Sequence, residues 1–154
     1  MSPPVIEAQI RAVFPTNGGC AVFLGNGEKT FVIYVDQSVG MAITMAMRNT
    51  PKERPQTHDL ISEILTSVGA DVKRIIINDF NEGVYFARLI FEIENEVQQK
   101  KIIELDARPS DSIAIAVSSQ APIYVAHHVW QDADDMTEVL EKMERSGFDT
   151  GTME

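Results

Sequence analysis

Apolar and polar positions alternate over residues 5–14. Ile6, Ala8, Ile10, Ala12 and Phe14 fall on one face, with Glu7, Gln9 and Arg11 on the other, which is the period of a half-buried strand. Asn17-Gly18-Gly19 marks a turn. Residues 20–24 and 30–35 read as two strands around the hairpin turn Gly25-Asn26-Gly27-Glu28. The pattern then changes period. Residues 39–47 are apolar at nearly every position and rich in Met and Ala, predicting a buried helix. Pro51 and Pro55 make 49–56 a loop. Leu60, Ile61, Ile64, Leu65 and Val68 recur at helical spacing, with Thr57 as N-cap and Gly69 as the stop.

The second half repeats this order. Residues 72–78 and 84–93 form a hairpin over 79–83, and 98–106 is the next strand. A short buried helix over 110–119, a short strand over 123–126 and a surface helix over 132–145 follow. Met136, Val139, Leu140 and Met143 form the inner stripe of that last helix. Tyr85, Phe86, Phe91 and Tyr124 are expected in strand interiors rather than on a base-stacking platform, and Met41, Met45 and Met47 line either a subunit contact or, as the simpler reading, the core. Residues 33–46 lie over 103–116 at an offset of 70, with Ile33/Ile103, Asp36/Asp106, Ile43/Ile113 and Ala46/Ala116 identical. The expectation is an α+β fold, a duplicated β3α2 unit forming a mixed, largely antiparallel sheet packed with helices.

A chain of 154 residues with 44% apolar side chains is long enough for one core. It divides into a domain over 1–130 and an acidic C-terminal helix with a frayed tail over 131–154. The start Met1-Ser2-Pro3-Pro4-Val5 lacks a signal-peptide pattern, no apolar run is long enough for a membrane, and Cys20 is alone. These features predict a cytoplasmic protein without a disulfide. The net charge is −10, of which −6 falls in residues 131–154, leaving −4 on the body. That balance opposes sequence-independent binding to a nucleic-acid backbone but leaves room for a local basic patch.

Candidate chemistry sits at two strand- or loop-to-helix junctions. Asp106-Ala107-Arg108-Pro109-Ser110-Asp111 packs two carboxylates and a guanidinium before an apolar helix. Read alone, it is better explained as a capped helix start, because Pro suits the first helical turn and Ser or Asp complements the helix N-terminus. Arg54-Pro55-Gln56-Thr57-His58-Asp59 is a second Arg-Pro entering a helix. Together, a planar cation near free helical amides, a carboxylate and an imidazole suit phosphodiester chemistry. Arg holds the phosphate, a carboxylate holds a divalent metal or positions water, and His58 moves a proton. His127-His128 is not expected to bind one metal, since neighbours on a strand face opposite ways. The chain has no zinc spacing, P-loop, GxGxxG or GxSxG.

These motifs, together with Val84-Tyr85-Phe86-Ala87 and Ala121-Pro122-Ile123-Tyr124-Val125, resemble those of the bifunctional nuclease domain family over roughly residues 5–130. The resemblance implies nuclease activity on RNA and DNA, Mg²⁺ or Mn²⁺ as a plausible cofactor, and a duplicated β3α2 architecture. It carries over His58, Asp59, Asp106 and Asp111 as catalytic residues and Arg54, Thr57, Arg108 and Ser110 as substrate-binding residues. Asp59 and Asp111 are the expected metal ligands. One position departs from the family pattern: Val39 stands where many members carry a Glu. The alternative expectation is a non-catalytic binding or assembly protein in which the Arg-Pro-Asp motifs are structural ion pairs. A homo-oligomer, most simply a dimer, is expected in either case.

Overall fold

The computed structural model describes residues 4–146. They form a seven-stranded mixed sheet with helices on both faces, in the α+β class. The strands are β1 (Val5–Thr16), β2 (Gly19–Gly25), β3 (Thr30–Asp36), β4 (Ala70–Asn81), β5 (Val84–Glu94), β6 (Lys100–Ala107) and β7 (Ile123–Ala126). The helices are α1 (Gln37–Met47), α2 (Thr57–Ser67), α3 (Pro109–Ser119), α4 (His127–Asp132) and α5 (Thr137–Arg145). Strand order is β3-β2-β1-β7-β4-β5-β6. Two antiparallel meanders, β1–β3 and β4–β6, flank β7, which pairs antiparallel with β1 and parallel with β4.

The strict alternation expected along β1 breaks at a bulge between Ile10 and Ala12. Ile6, Ala8, Ile10 and Val13 face the main core, whereas Ala12 and Phe14 face the other side. A bulge adds one residue and so moves the following side chains to the opposite face. This reversal lets the strand serve two layers. On one face Ile75, Ile77, Leu89, Ile43 and Ile113 join sheet to helices in the main core. On the other, Leu140 of α5 covers Phe14 and Phe23, with Met136 and Met143 beside it. Val139, expected on that inner stripe, is exposed.

Helix α1 begins directly after Asp36, two residues before the start read from the pattern. Gly40 lets it approach β2: a Cβ there would meet the Cys20 Cβ at 2.5 Å. Cys20 is fully buried, and burial pushes its thiol up from the ordinary value. Val39 is buried in the main core. Met41 and Met47 are exposed, so they are not core residues. Phe86 is also exposed, while Phe91 is buried and Tyr85 and Tyr124 are half-buried.

Two further differences concern helices. The helix expected over 132–145 starts later, at Thr137 (α5), and a separate short helix, α4, ends at Asp132 before it. His127 and His128 therefore open a helix, and the strand argument about them does not apply. The expected tail lies, apart from Ser146, outside the described residues. Among those described, no helix is long and apolar enough to cross a membrane.

Candidate functional site

β3 and β6 are the two outer strands of the sheet, yet their ends meet. Asp36 closes β3, and its Oδ2 lies 3.8 Å from Nη1 of Arg108, the residue after β6. The sheet therefore curls, leaving a cleft of about 780 Å³ between the β3 edge, the tip of the β4–β5 hairpin and the start of α3. Tyr34, Phe80 and Tyr85 line it, with Asp36, Arg108 and Ser110 at one end. Tyr34 is 69% exposed. The Phe80 and Tyr85 rings pack with centroids 4.3 Å apart. Burial, and then the nearby Asp134 carboxylate, push the Tyr85 phenol up from its ordinary range.

Arg108 is the N-cap of α3, and Pro109 occupies the first helical turn. The extended backbone that precedes a proline suits an N-cap. This places Asp111 in the first turn, three residues on, where side chains return to the same face. Arg108 Nε donates to Asp111 Oδ2 at 2.8 Å and Nη2 to Oδ1 at 3.1 Å. The two-pronged contact raises the guanidinium pKa further, with Asp36 adding to it. Arg108 nonetheless remains 62% exposed at its side chain.

The second motif arrives from α2. His58 Nε2 lies 3.9 Å from Asp111 Oδ1, and the imidazole is only 16% exposed. It is thus largely enclosed although it sits in the first turn of α2. Among the described residues its Nδ1 is buried without a hydrogen-bond partner. Nε2 is the nitrogen left to exchange a proton with a bound group. The line Asp36–Arg108–Asp111–His58 thus joins one end of β3, the start of α3 and the start of α2.

The remaining motif residues lie elsewhere. Asp59 turns away from this line. Its carboxylate accepts from Lys52 Nζ at 2.7 Å, from the Gln56 N–H at 2.9 Å and from the Ser118 hydroxyl at 3.3 Å. Lys52 is the chief cause holding the Asp59 carboxyl below its ordinary range. The N-cap of α2 is Gln56, not Thr57, which is the first helical residue and exposed. Arg54 is exposed in a second groove with Lys52, Asp59 and Ser118. Asp106 is exposed on β6, opposite Arg88 in the register. Asp36 was not singled out from the motifs. Its match to Asp106 at the offset of 70 was the available signal.

The expected metal ligands do not converge. Asp59 meets Ser118 near the end of α3 and Asp111 sits at its beginning, about 10 Å along a helix axis. Each is already paired with its own cation. Among the described residues, no three His, Cys, Asp or Glu side chains are placed to hold an ion.

Comparison with known proteins bears on this site. The family model described as the bifunctional nuclease domain matches residues 22–138, a span that contains every residue of the line above. An uncharacterised protein of Mycobacterium tuberculosis, Rv1829, is 37% identical over 108 residues, 70% of this chain and 61% of its own. Bifunctional nuclease 2 of Oryza sativa subsp. japonica is 31% identical over 101 residues, 65% of this chain and 30% of its own. Bifunctional nuclease 1 of the same plant is 30% identical over 98 residues, 63% and 29%. The chain therefore spans under two thirds of the mycobacterial protein and under a third of the rice proteins. The match covers most of the sheet, α1 to α4 and both Arg-Pro junctions, and the chain belongs to the bifunctional nuclease domain family.

Proposed function

We propose that this chain hydrolyses phosphodiester bonds of RNA or DNA at the Asp36–Arg108–Asp111–His58 line. One observation carries the reading: the two Arg-Pro junctions meet, with His58 Nε2 3.9 Å from an Asp111 paired to Arg108, which itself lines the cleft. An exposed guanidinium can trade part of its carboxylate contact for a phosphate with little desolvation, which a buried ion pair could not. In this reading Arg108 and Ser110 bind the scissile phosphate at the start of α3, where unpaired helical amides favour an anion. As a water attacks the phosphorus and gives up its proton to solvent, His58 Nε2 moves a proton to the leaving oxygen. Asp111 orients the imidazole and balances its charge. Arg54 and Thr57 contact a neighbouring phosphate of a longer substrate. Asp59 and Asp106 lie outside the line and receive no step. The names of the rice relatives support the substrate class.

The test is cleavage of single-stranded RNA and DNA by the wild-type chain and by Asp111→Asn and His58→Ala. Each is assayed in Mg²⁺, Mn²⁺ and EDTA, so that any metal requirement is read directly. Cleavage by wild type and its loss in both variants is the expected result. Wild-type rates equal to those of Asp111→Asn in every buffer would remove the enzyme reading. The second reading, a binding or assembly protein, draws on Asp59, whose carboxylate is engaged by three donors and serves as a structural tie. The internal duplication and a cytoplasmic setting belong to the same proposal. The first is supported by two meanders flanking β7, the second by the lone buried Cys20.

A further inference from the structure

β6 is exposed at every position except Ile103 and Ala107, which are half-buried. Ile102 is 59% exposed and Leu105 47%. These two side chains point to opposite faces, since strand neighbours alternate. Each face of the strand therefore carries an exposed apolar side chain, while Ala107 at its end packs against the main core. Its outer edge pairs with no other strand among the described residues. An unpaired edge strand of this kind is a template for pairing with another chain.

The order of charges along the strand selects the occupant. Lys100-Lys101-Ile102-Ile103-Glu104-Leu105-Asp106 has two cations at one end and two carboxylates at the other. Parallel pairing with an identical strand would set like charges side by side, which destabilises a sheet. Antiparallel pairing sets opposite charges side by side. A two-fold axis normal to the sheet keeps each face on its own side, so residues that pair must share a face.

We propose that β6 pairs antiparallel with β6 of a second copy of this chain, about a two-fold axis at Ile103. In that register Lys100 of each copy faces Asp106 of the other, Ile102 faces Glu104, and Ile103 faces its own counterpart. Lys100 lies 3.6 Å from Glu92 on the neighbouring strand and is 61% exposed at its side chain, so it bridges Glu92 and the incoming carboxylate. On the helix side Val68 shares an open groove with Ile93, Val97 and Lys101, so apolar surface flanks the edge there as well. The interface joins two seven-stranded sheets into one and gives Asp106 a role in assembly. It rests on β6 alone and stands independently of the nuclease reading.

Light scattering after size exclusion tests it across a concentration series. The wild-type chain should show twice the 17.1 kDa chain mass. Lys100→Glu and Asp106→Lys each break two symmetric pairs and should raise the dimer Kd about tenfold. Combining both changes should restore the dimer, because the charges are exchanged rather than lost. A circular-dichroism melt confirms that each variant is folded. Ile103→Cys places two thiols face to face and should give an interchain disulfide on oxidation, which wild type with its buried Cys20 does not. A mass of one chain at all concentrations overturns the proposal. So does a dimer that both single charge variants leave intact while Ile64→Glu, on the exposed face of α2, dissociates it.

Discussion

His58 Nε2 stands 3.9 Å from Asp111 Oδ1, joining residues that are 53 positions apart in the chain. That separation exceeds a hydrogen bond, so a bound oxygen can reach both groups only from beside the pair. Arg108 holds Asp111 in this place through both carboxylate oxygens. Asp111→Asn keeps the shape of the side chain but removes the charge that both neighbours face. It should lower kcat for single-stranded RNA by about 10²-fold, a typical loss for a group that positions a general acid. The thermal midpoint should stay where it is, because the pair with Arg108 is exposed. A fall in thermal stability that tracked the fall in rate would make the pair structural instead.

Asp59 should behave in the opposite way. It sits one residue from His58 in the sequence, but its carboxylate ties Lys52, the Gln56 amide and Ser118 together. Asp59→Asn should lower stability by about 1–2 kcal/mol, combining a lost helix-start contact with a part-buried ion pair, and leave kcat per folded molecule unchanged. The pH dependence follows from the direction of its shift. The folded carboxyl titrates below its ordinary value, so its contribution is fully present above the unfolded pKa and is lost as pH falls through the folded one. Urea midpoints measured from neutral pH down into that acid range should fall more steeply for wild type than for Asp59→Asn. Parallel curves would show that Asp59 stabilises nothing.

The strand and helix pattern was legible because period 2 and period 3.6 are local properties. β1, β2, β3, the β4–β5 hairpin and α3 lie within a few residues of where alternation and turn residues set them. The face change in β1 was not legible. A bulge depends on what covers each side, and α5 lies more than a hundred residues away. The stripe Leu60, Ile64 and Val68 was read correctly as a helix but not as an exposed one, since periodicity reports an apolar face and not its partner. Of the motif residues, His58, Arg108 and Asp111 come together, while Asp59 and Arg54 share a different groove. Neighbours on a helix point about 100° apart, so His58 and Asp59 could not both face one cluster.

Gly40 marks where α1 comes closest to the sheet. Any added Cβ meets Cys20, at its Cβ as well as its sulfur, so a rotamer change at Cys20 cannot make room. Gly40→Ala should destabilise the fold by about 1–3 kcal/mol, the usual penalty for overpacking a core, despite the higher helix propensity of Ala. Chemical denaturation provides the measurement. A neutral or stabilising result would mean that α1 can slide away from β2 without loss.

The cleft leading to Arg108 makes a separate prediction about substrate. Tyr34 stands largely exposed on the β3 edge, and Phe80 faces the same space. Exposed rings beside the Arg108 guanidinium, the phosphate ligand in the proposed reading, offer stacking surfaces for unpaired bases. Tyr34→Ala should raise KM for single-stranded RNA about tenfold, within the range of one lost base–aromatic contact, with little change in kcat. Tyr34→Trp should retain the wild-type value, since the ring face and not the hydroxyl is what a base meets. A single-stranded oligonucleotide of abasic tetrahydrofuran units, a phosphodiester chain with no base to stack and with poor alkoxide leaving groups, separates the two parts of the site. Its hydrolysis should be insensitive to Tyr34→Ala and sensitive to Asp111→Asn. Equal losses on both substrates would place Tyr34 in the support of the catalytic line rather than on the path of the strand. No loss on either would leave the aromatic side of the cleft without a part in binding.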